Sequence, residues 1–274
     1  AISAGNAMIL KPSERVPSTS IALAKLAQEA GLPDGVLQVV NGDKEIVDAI
    51  LDHPVVQAVG FVGSTPIAQY IYGRAANNGK RAQCFGGAKN HMLIMPDADM
   101  DKAADALLGA GFGAAGERCM AISVAVPVGE ATADALIERL VPKIEKLKVG
   151  PYTGGNDVDF GPVITAASKN RIERLIASGV DQGADLVVDG RGLSIQGYES
   201  GFFCGPSLFD RVTPEMEIYK EEIFGPVLTQ VRTQSYDEAL KLVMDNDYGN
   251  GTAIYTADGD TARDFASRVN VGMV

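Results

Sequence analysis

The chain has 274 residues, of which 46% are hydrophobic and 22% charged, and a formal net charge of −11 at pH 7. A chain of this length buries roughly three quarters of its unfolded surface, so a cored globule of one or two domains is expected. The acidic balance disfavours nucleic acid and anionic lipid as partners, and the apolar runs fall short of the ~20 residues that a membrane span needs.

No basic, apolar-cored signal segment opens the sequence. The cysteines, Cys84, Cys119 and Cys204, lack C-x-x-C spacing. That argues against a disulfide framework or a zinc site and for a reducing compartment such as the cytoplasm. In chain order, residues 7–10 read as a short buried strand and residues 18–30 as a helix, with Ser18 as N-cap and Gly31 as its stop. Strand 36–40 ends at Asn41-Gly42, and helix 45–51 leads to strand 55–62, which runs into Gly63-Ser64-Thr65-Pro66. Ser64 caps the next helix, Pro66 sits in its first turn, and Ile67, Tyr70 and Ile71 follow at helical spacing. Cys84 falls in a further apolar strand, and Gly86-Gly87 marks a boundary between two α/β portions.

Strand 91–95 precedes the carboxylate-rich helix start Asp97-Ala98-Asp99-Met100-Asp101. Small residues at 109–116 lead into Gly116-Glu117-Arg118-Cys119-Met120 and strand 122–126. Apolar helix faces follow at Leu136, Ile137, Leu140, Val141 and Ile144, and at Ile172, Leu175 and Ile176. Residues 190–205 are loop-rich, and 269–274 read as a strand. Strands alternating with helices predict a parallel sheet with crossover helices. The sequence starts without methionine and both ends are strand-like, so it is read as a piece of a longer protein.

Some segments carry chemistry beside a plainer reading. Phe61-Val62-Gly63-Ser64 sets a strand end on a helix N-terminus, which suits a phosphate, although G-x-G-x-x-G is missing there. In Lys11-Pro12-Ser13-Glu14 a cation and a carboxylate can grip ribose hydroxyls or form an ordinary charged loop. Cys119, beside Arg118, is either a thiolate nucleophile or a small buried hydrophobe, as Cys84 and Cys204 are taken to be. The histidines are His53 and His91, and nothing local aims either at Cys119. Lys220-Glu221-Glu222-Ile223-Phe224-Gly225-Pro226 reads locally as a helix end stopped by Gly-Pro.

Together with Gly87-Ala88-Lys89 and the Asp97 motif, these segments, in this order, resemble the aldehyde dehydrogenase superfamily over essentially the whole chain. The resemblance implies an α/β, aldehyde-dehydrogenase-like fold. Residues 1–87 would be the C-terminal part of a Rossmann-type NAD-binding domain, and 88–274 an α/β catalytic domain truncated at its end. Gly87-Ala88-Lys89-Asn90-His91, Gly116-Glu117-Arg118-Cys119-Met120-Ala121 and Tyr248-Gly249-Asn250-Gly251-Thr252-Ala253 are similar to the CoA-acylating methylmalonate-semialdehyde dehydrogenases.

That resemblance implies NAD as cofactor and coenzyme A as co-substrate, with no metal. Lys11 and Glu14 would hold the adenosine ribose, Gly63 and Ser64 the pyrophosphate, and Glu222 the nicotinamide ribose with Phe224 beside it. Cys119 would be the nucleophile. Its backbone N–H would share the oxyanion with the asparagine of a Pro-Trp-Asn-Phe-Pro motif, which this tryptophan-free sequence lacks. Arg118 would hold the substrate carboxylate, with a purely local role at Cys119 as the equal alternative. Hydrolytic members carry a glutamate base at the position matching Phe85, where the acylating relatives usually have asparagine. A phenylalanine there supplies no base and implies acyl transfer to CoA. The implied setting is a homo-oligomer, dimer or tetramer, in the cytoplasm or mitochondrial matrix. The alternatives are a hydrolytic aldehyde dehydrogenase using Glu117 or Glu221, and a non-catalytic nucleotide-binding or assembly fragment.

Overall fold

The strands of the computed structural model, which describes residues 1–274 apart from the side chains of 154–156, fall into two units, Ala1–Gly86 and Gly87–Val274. In the first, β1 (Met8–Leu10) pairs in parallel with β2 (Leu37–Val39) through the crossover helix α1 (Ser18–Glu29). Helix α2 (Lys44–Asp52) is capped by Asp43, whose carboxylate accepts from the Glu45 N–H. It leads to β3 (Ala58–Val62), α3 (Thr65–Asn77) and β4 (Arg81–Phe85), with β3 and β4 parallel from Ala58 opposite Arg81 to Val62 opposite Phe85. A small core of Leu51, Ile71 and Ala75 joins α2 to α3, and Val59, Phe61, Ala82 and Cys84 pack against it. Each large aliphatic side chain buried there contributes about 1.5–3 kcal/mol.

Three expectations change in this unit. Strand β1 is not buried: Met8 and Ile9 are 37% and 45% exposed, because a two-stranded sheet covers little of either face. Ser18 is the first residue of α1 rather than its cap. Pro17 stands at the cap and offers no side-chain acceptor. Cys84 is half-buried, as expected for every second residue of a strand with one covered face.

In the second unit the chain runs β5 (Asn90–Ile94), α4 (Met100–Phe112), β6 (Ile122–Pro127), α5 (Glu130–Ile144), α6 (Ala166–Asp181), β7 (Asp185–Val188) and β8 (Ser207–Asp210). It continues through α7 (Glu217–Lys220), β9 (Val227–Gln230), α8 (Tyr236–Met244), β10 (Thr252–Tyr255) and α9 (Gly259–Arg268). These strands form one six-stranded sheet in the order β10-β5-β6-β9-β8-β7, parallel except for the β7–β8 pair. β5, β8 and β9 are buried at every position, as in parallel sheets covered on both faces. Leu107 and Phe112 of α4 and Leu136, Leu140 and Ile144 of α5 belong to the same core as Phe209 of β8. Asp99 caps α4 by accepting from the Lys102 N–H.

Residues 269–274 form no strand, contrary to expectation. They lie beside the start of β10, where the Thr252 N–H donates to the Met273 carbonyl at 2.9 Å and the Gly272 N–H to the Gly249 carbonyl at 2.7 Å. No helix among the described residues is long and apolar enough to cross a membrane. Because β5, β6, β9 and β10 are parallel, the loops entering them gather along one edge of the sheet.

Candidate active site

Helix α4 ends at Phe112, and the backbone then takes left-handed values at three successive residues, with φ of 53° at Ala114, 56° at Ala115 and 68° at Gly116. For an alanine such a conformation costs roughly 1–3 kcal/mol and persists only where surrounding structure imposes it. Gly116 must lack a side chain, since a Cβ there would overlap the Gly225 carbonyl. The kink delivers Glu117-Arg118-Cys119 to the amino edge of the sheet, just before β6. The Ala121 N–H donates to the Arg118 carbonyl at 3.0 Å, closing a turn with exposed Cys119 at its second position. A cavity opens there, with Ala88, Asn90, Arg118, Cys119, Glu222 and Phe224 in its wall.

The Cys119 N–H has no acceptor among the described residues. The Cys119 carbonyl, by contrast, accepts from the side-chain amides of Asn90 at 2.9 Å and Asn250 at 2.8 Å. The Arg118 guanidinium lies over the bare Cα of Gly113, where a Cβ would come within 2.8 Å of its Nη1. Among the described residues the Arg118 guanidinium makes no hydrogen bond or ion pair, so its fork of donors is free.

Glu222 is held by the Ala88 N–H at 2.9 Å. It is the only carboxylate in the cavity wall among the described residues. Glu117 accepts from the Ile164 N–H at 3.3 Å, and burial raises its carboxyl above the usual range. Glu221 pairs with Arg171 at 3.2 Å. Beneath the wall, Lys89 is 1% exposed and donates to the carbonyls of Ile218 and Glu221, each at 2.7 Å. Burial pushes its ammonium down to about 7, with the Glu222 carboxylate opposing. His91 Nε2 and the Tyr219 hydroxyl stand 2.9 Å apart, and burial lowers the imidazole to about 4 and raises the phenol to about 12.

In the first unit, Lys11 Nζ donates to the Gly42 carbonyl at 2.9 Å and stands 3.5 Å from the exposed Glu14 carboxylate. Glu14 is held below the usual carboxylate range by a hydrogen bond from its own backbone N–H and, less, by Lys11. Ser64 is the N-cap of α3, and its hydroxyl makes no capping hydrogen bond. The Gly63 N–H donates to the Phe85 carbonyl at 3.1 Å, tying this loop to β4, and Phe85 is 54% exposed. Lys11 follows β1, and Gly63 and Ser64 follow β3, at the carboxyl ends of parallel strands where open α/β sheets bind ligands.

Cys119, Arg118, Glu222 and Phe224 thus come together in one wall, Lys11 meets Glu14, and Gly63 stands next to Ser64. Sequence reasoning missed Asn90 and Asn250 as partners of Cys119. Their local signals are slight: a polar residue opening an apolar strand, and an asparagine between two glycines.

The model of the aldehyde dehydrogenase family matches residues 1–274. Malonate-semialdehyde dehydrogenase of Pseudomonas aeruginosa is 60% identical over 274 residues, covering 100% of this chain and 55% of that protein. The mitochondrial methylmalonate-semialdehyde dehydrogenase [acylating] of Arabidopsis thaliana is 51% identical, covering 100% and 45% respectively. A crystal structure from Sinorhizobium meliloti, complexed with NAD and described provisionally as a methylmalonate-semialdehyde dehydrogenase, superposes with a TM-score of 0.97 at 68% identity, covering 100% of this chain and 55% of that one. The chain therefore spans about half the length of these relatives. It belongs to the aldehyde dehydrogenase family.

Proposed function

We propose that the protein carrying this chain oxidises malonate or methylmalonate semialdehyde with NAD, holds the acyl group as a Cys119 thioester and passes it to CoA. The observation that carries this reading is the exposed Cys119, whose N–H has no acceptor among the described residues, in a wall whose one carboxylate among them already accepts from the Ala88 N–H. The relatives' printed names supply the substrate class and the acylating outcome.

The Cys119 thiolate attacks the aldehyde carbon, and the oxyanion that forms accepts a hydrogen bond from the Cys119 N–H. NAD, when bound, is the hydride acceptor that leaves a thioester on Cys119. Arg118 grips the substrate carboxylate with its planar fork until that group departs as carbon dioxide, the C–C bond electrons passing to the thioester carbonyl as an enolate that then takes a proton from water at its α-carbon. Among the described residues the wall offers water a single carboxylate, Glu222, which already accepts from the Ala88 N–H, whereas a CoA thiol, with a reference pKa near 8.5, ionises enough to attack unaided.

Glu14 and Glu222 offer acceptors that suit ribose hydroxyls, and the Ser64 hydroxyl and the α3 N-terminus offer donors that suit a pyrophosphate. Lys11 steadies Glu14, and Gly63 precedes that helix N-terminus without a Cβ, which would come within 2.5 Å of the Phe61 ring. Residues 1–87 thereby serve NAD, and 88–274 serve the thiol chemistry and add Glu222 for the cofactor.

The test is product analysis with the complete protein, malonate semialdehyde and NAD, with and without CoA. Acetyl-CoA and carbon dioxide are expected. Steady release of a free acid without CoA would favour the hydrolytic alternative.

A further inference from the structure

We infer that Asn90 and Asn250 are positioning residues that clamp the Cys119 carbonyl and so fix both the thiol and the Cys119 N–H for oxyanion binding. This rests on the reading of Cys119 as nucleophile. A residue's side-chain direction and N–H direction are set by the two peptides that flank it. The peptide before Cys119 is held by the Ala121 N–H on the Arg118 carbonyl at 3.0 Å. The peptide after it is held by two side-chain amides, from Asn90 at 2.9 Å and Asn250 at 2.8 Å, which together use both lone pairs of the Cys119 carbonyl.

The two asparagines differ in depth. Asn90 is 2% exposed and has no donor to spare: its Nδ2 also donates to the Ala121 carbonyl at 2.8 Å, and its Oδ1 accepts from the Gly251 N–H at 3.0 Å. It staples the start of β5 to the thiol turn and to the entry of β10. Asn250 is exposed, and its Nδ2 also lies 3.2 Å from Met120 Sδ. The Met120 methyl rests over the bare Cα of Gly251, where a Cβ would come within 2.7 Å of it. Asn90 has no free N–H to offer the substrate, and the Asn250 amide nitrogen is committed to the Cys119 carbonyl, so both donors act through Cys119. Misplacing a nucleophile by about an ångström can cost ~10²-fold in rate.

Asn250 gives the clean test because its loss buries no unpaired group. In the complete protein, Asn250→Ala should slow the first-turnover burst of NADH by roughly 10–100-fold. NAD affinity, Tm and the rate of Cys119 alkylation by iodoacetamide should stay near wild type, since a small alkylating agent needs no oxyanion donor. If Asn250→Ala lowers Tm, Asn250→Asp keeps the shape, removes the donor and should give the same split. An unchanged burst, or a burst that falls only in step with alkylation and Tm, overturns the clamp. Cys119→Ala separates the two claims. A burst that survives in Cys119→Ala removes the nucleophile reading itself, whereas a burst lost there but intact in Asn250→Ala removes the clamp alone.

Discussion

The Ala88 backbone N–H donates to the Glu222 carboxylate at 2.9 Å, joining residues 134 positions apart in the sequence. The carboxylate is therefore aimed by a fixed backbone group at the start of the chain's run into β5, not by a mobile cation. Gly87 gives it room, since a Cβ there would come within 2.5 Å of Glu222 Oε2.

Gly87→Ala should move the Glu222 carboxylate while barely touching stability, because the atom it meets is the far end of a flexible side chain. With Glu222 as the nicotinamide-ribose acceptor, the variant should raise the Kd for NAD roughly tenfold, as losing a hydrogen bond to a charged group does. Fluorescence titration with NAD, alongside a Tm measurement, decides this. Unchanged affinity would free Glu222 from that role.

Iodoacetamide should label Cys119 first. Cys119 is exposed, whereas Cys204 is buried with its thiol pushed up to about 11, and burial also raises the thiol of half-buried Cys84. The thiolate is the reactive form, so Cys204 should label only on unfolding and Cys84 more slowly than Cys119. Peptide mapping checks the order, and Cys119→Ala should lose both the early label and dehydrogenase turnover.

NAD should bind more tightly than NADP. As the proposed ribose acceptor, the Glu14 carboxylate would accept from a diol but oppose a 2′-phosphate, and Lys11, already donating to the Gly42 carbonyl, is partly committed. A preference of at least roughly tenfold is expected, falling in Glu14→Gln and at high salt. Side-by-side titrations that favour NADP would contradict the assignment.

His91 makes stability depend on acid. Burial, helped by Lys89, lowers its imidazole from 6.5 to about 4, so between those values the unfolded chain binds the extra proton. Stability is thus fully present above about pH 6.5 and lost as pH falls toward 4, by up to about 3 kcal/mol. Urea unfolding at pH 7.5 and pH 4.5 should show a larger loss in the wild type than in His91→Gln, which keeps a partner for Tyr219. Equal losses would remove His91 as the cause.

Helices with clear periodicity were legible in the sequence: α1 is read at 18–30 and lies at Ser18–Glu29. Strand β5 begins one residue before its expected 91–95, because polar Asn90 masks its first position. Strands β8 and β9 escape notice since they are four residues long and mix core positions with buried polar ones. Thr229 donates to the Ser123 carbonyl at 3.0 Å, and Asp210 pairs with Arg232 at 2.6 Å, so tertiary partners rather than apolar character let them be buried. In the site, Cys119, Arg118, Glu222 and Phe224 are recognisable by family pattern. Asn90 and Asn250 are not, since an amide's partner is set by where the fold brings segments 29 and 131 positions apart.

The most direct measurement is the mass of the Cys119 peptide after the complete protein is mixed with NAD and malonate or methylmalonate semialdehyde, without CoA, and quenched. An acetyl or propionyl group should be found on Cys119, with NADH formed once per site, and CoA should remove it as the acyl-CoA. A bare Cys119 with continued NADH production and release of free acid would contradict transfer to CoA and point to a water-activating base, Glu117 first.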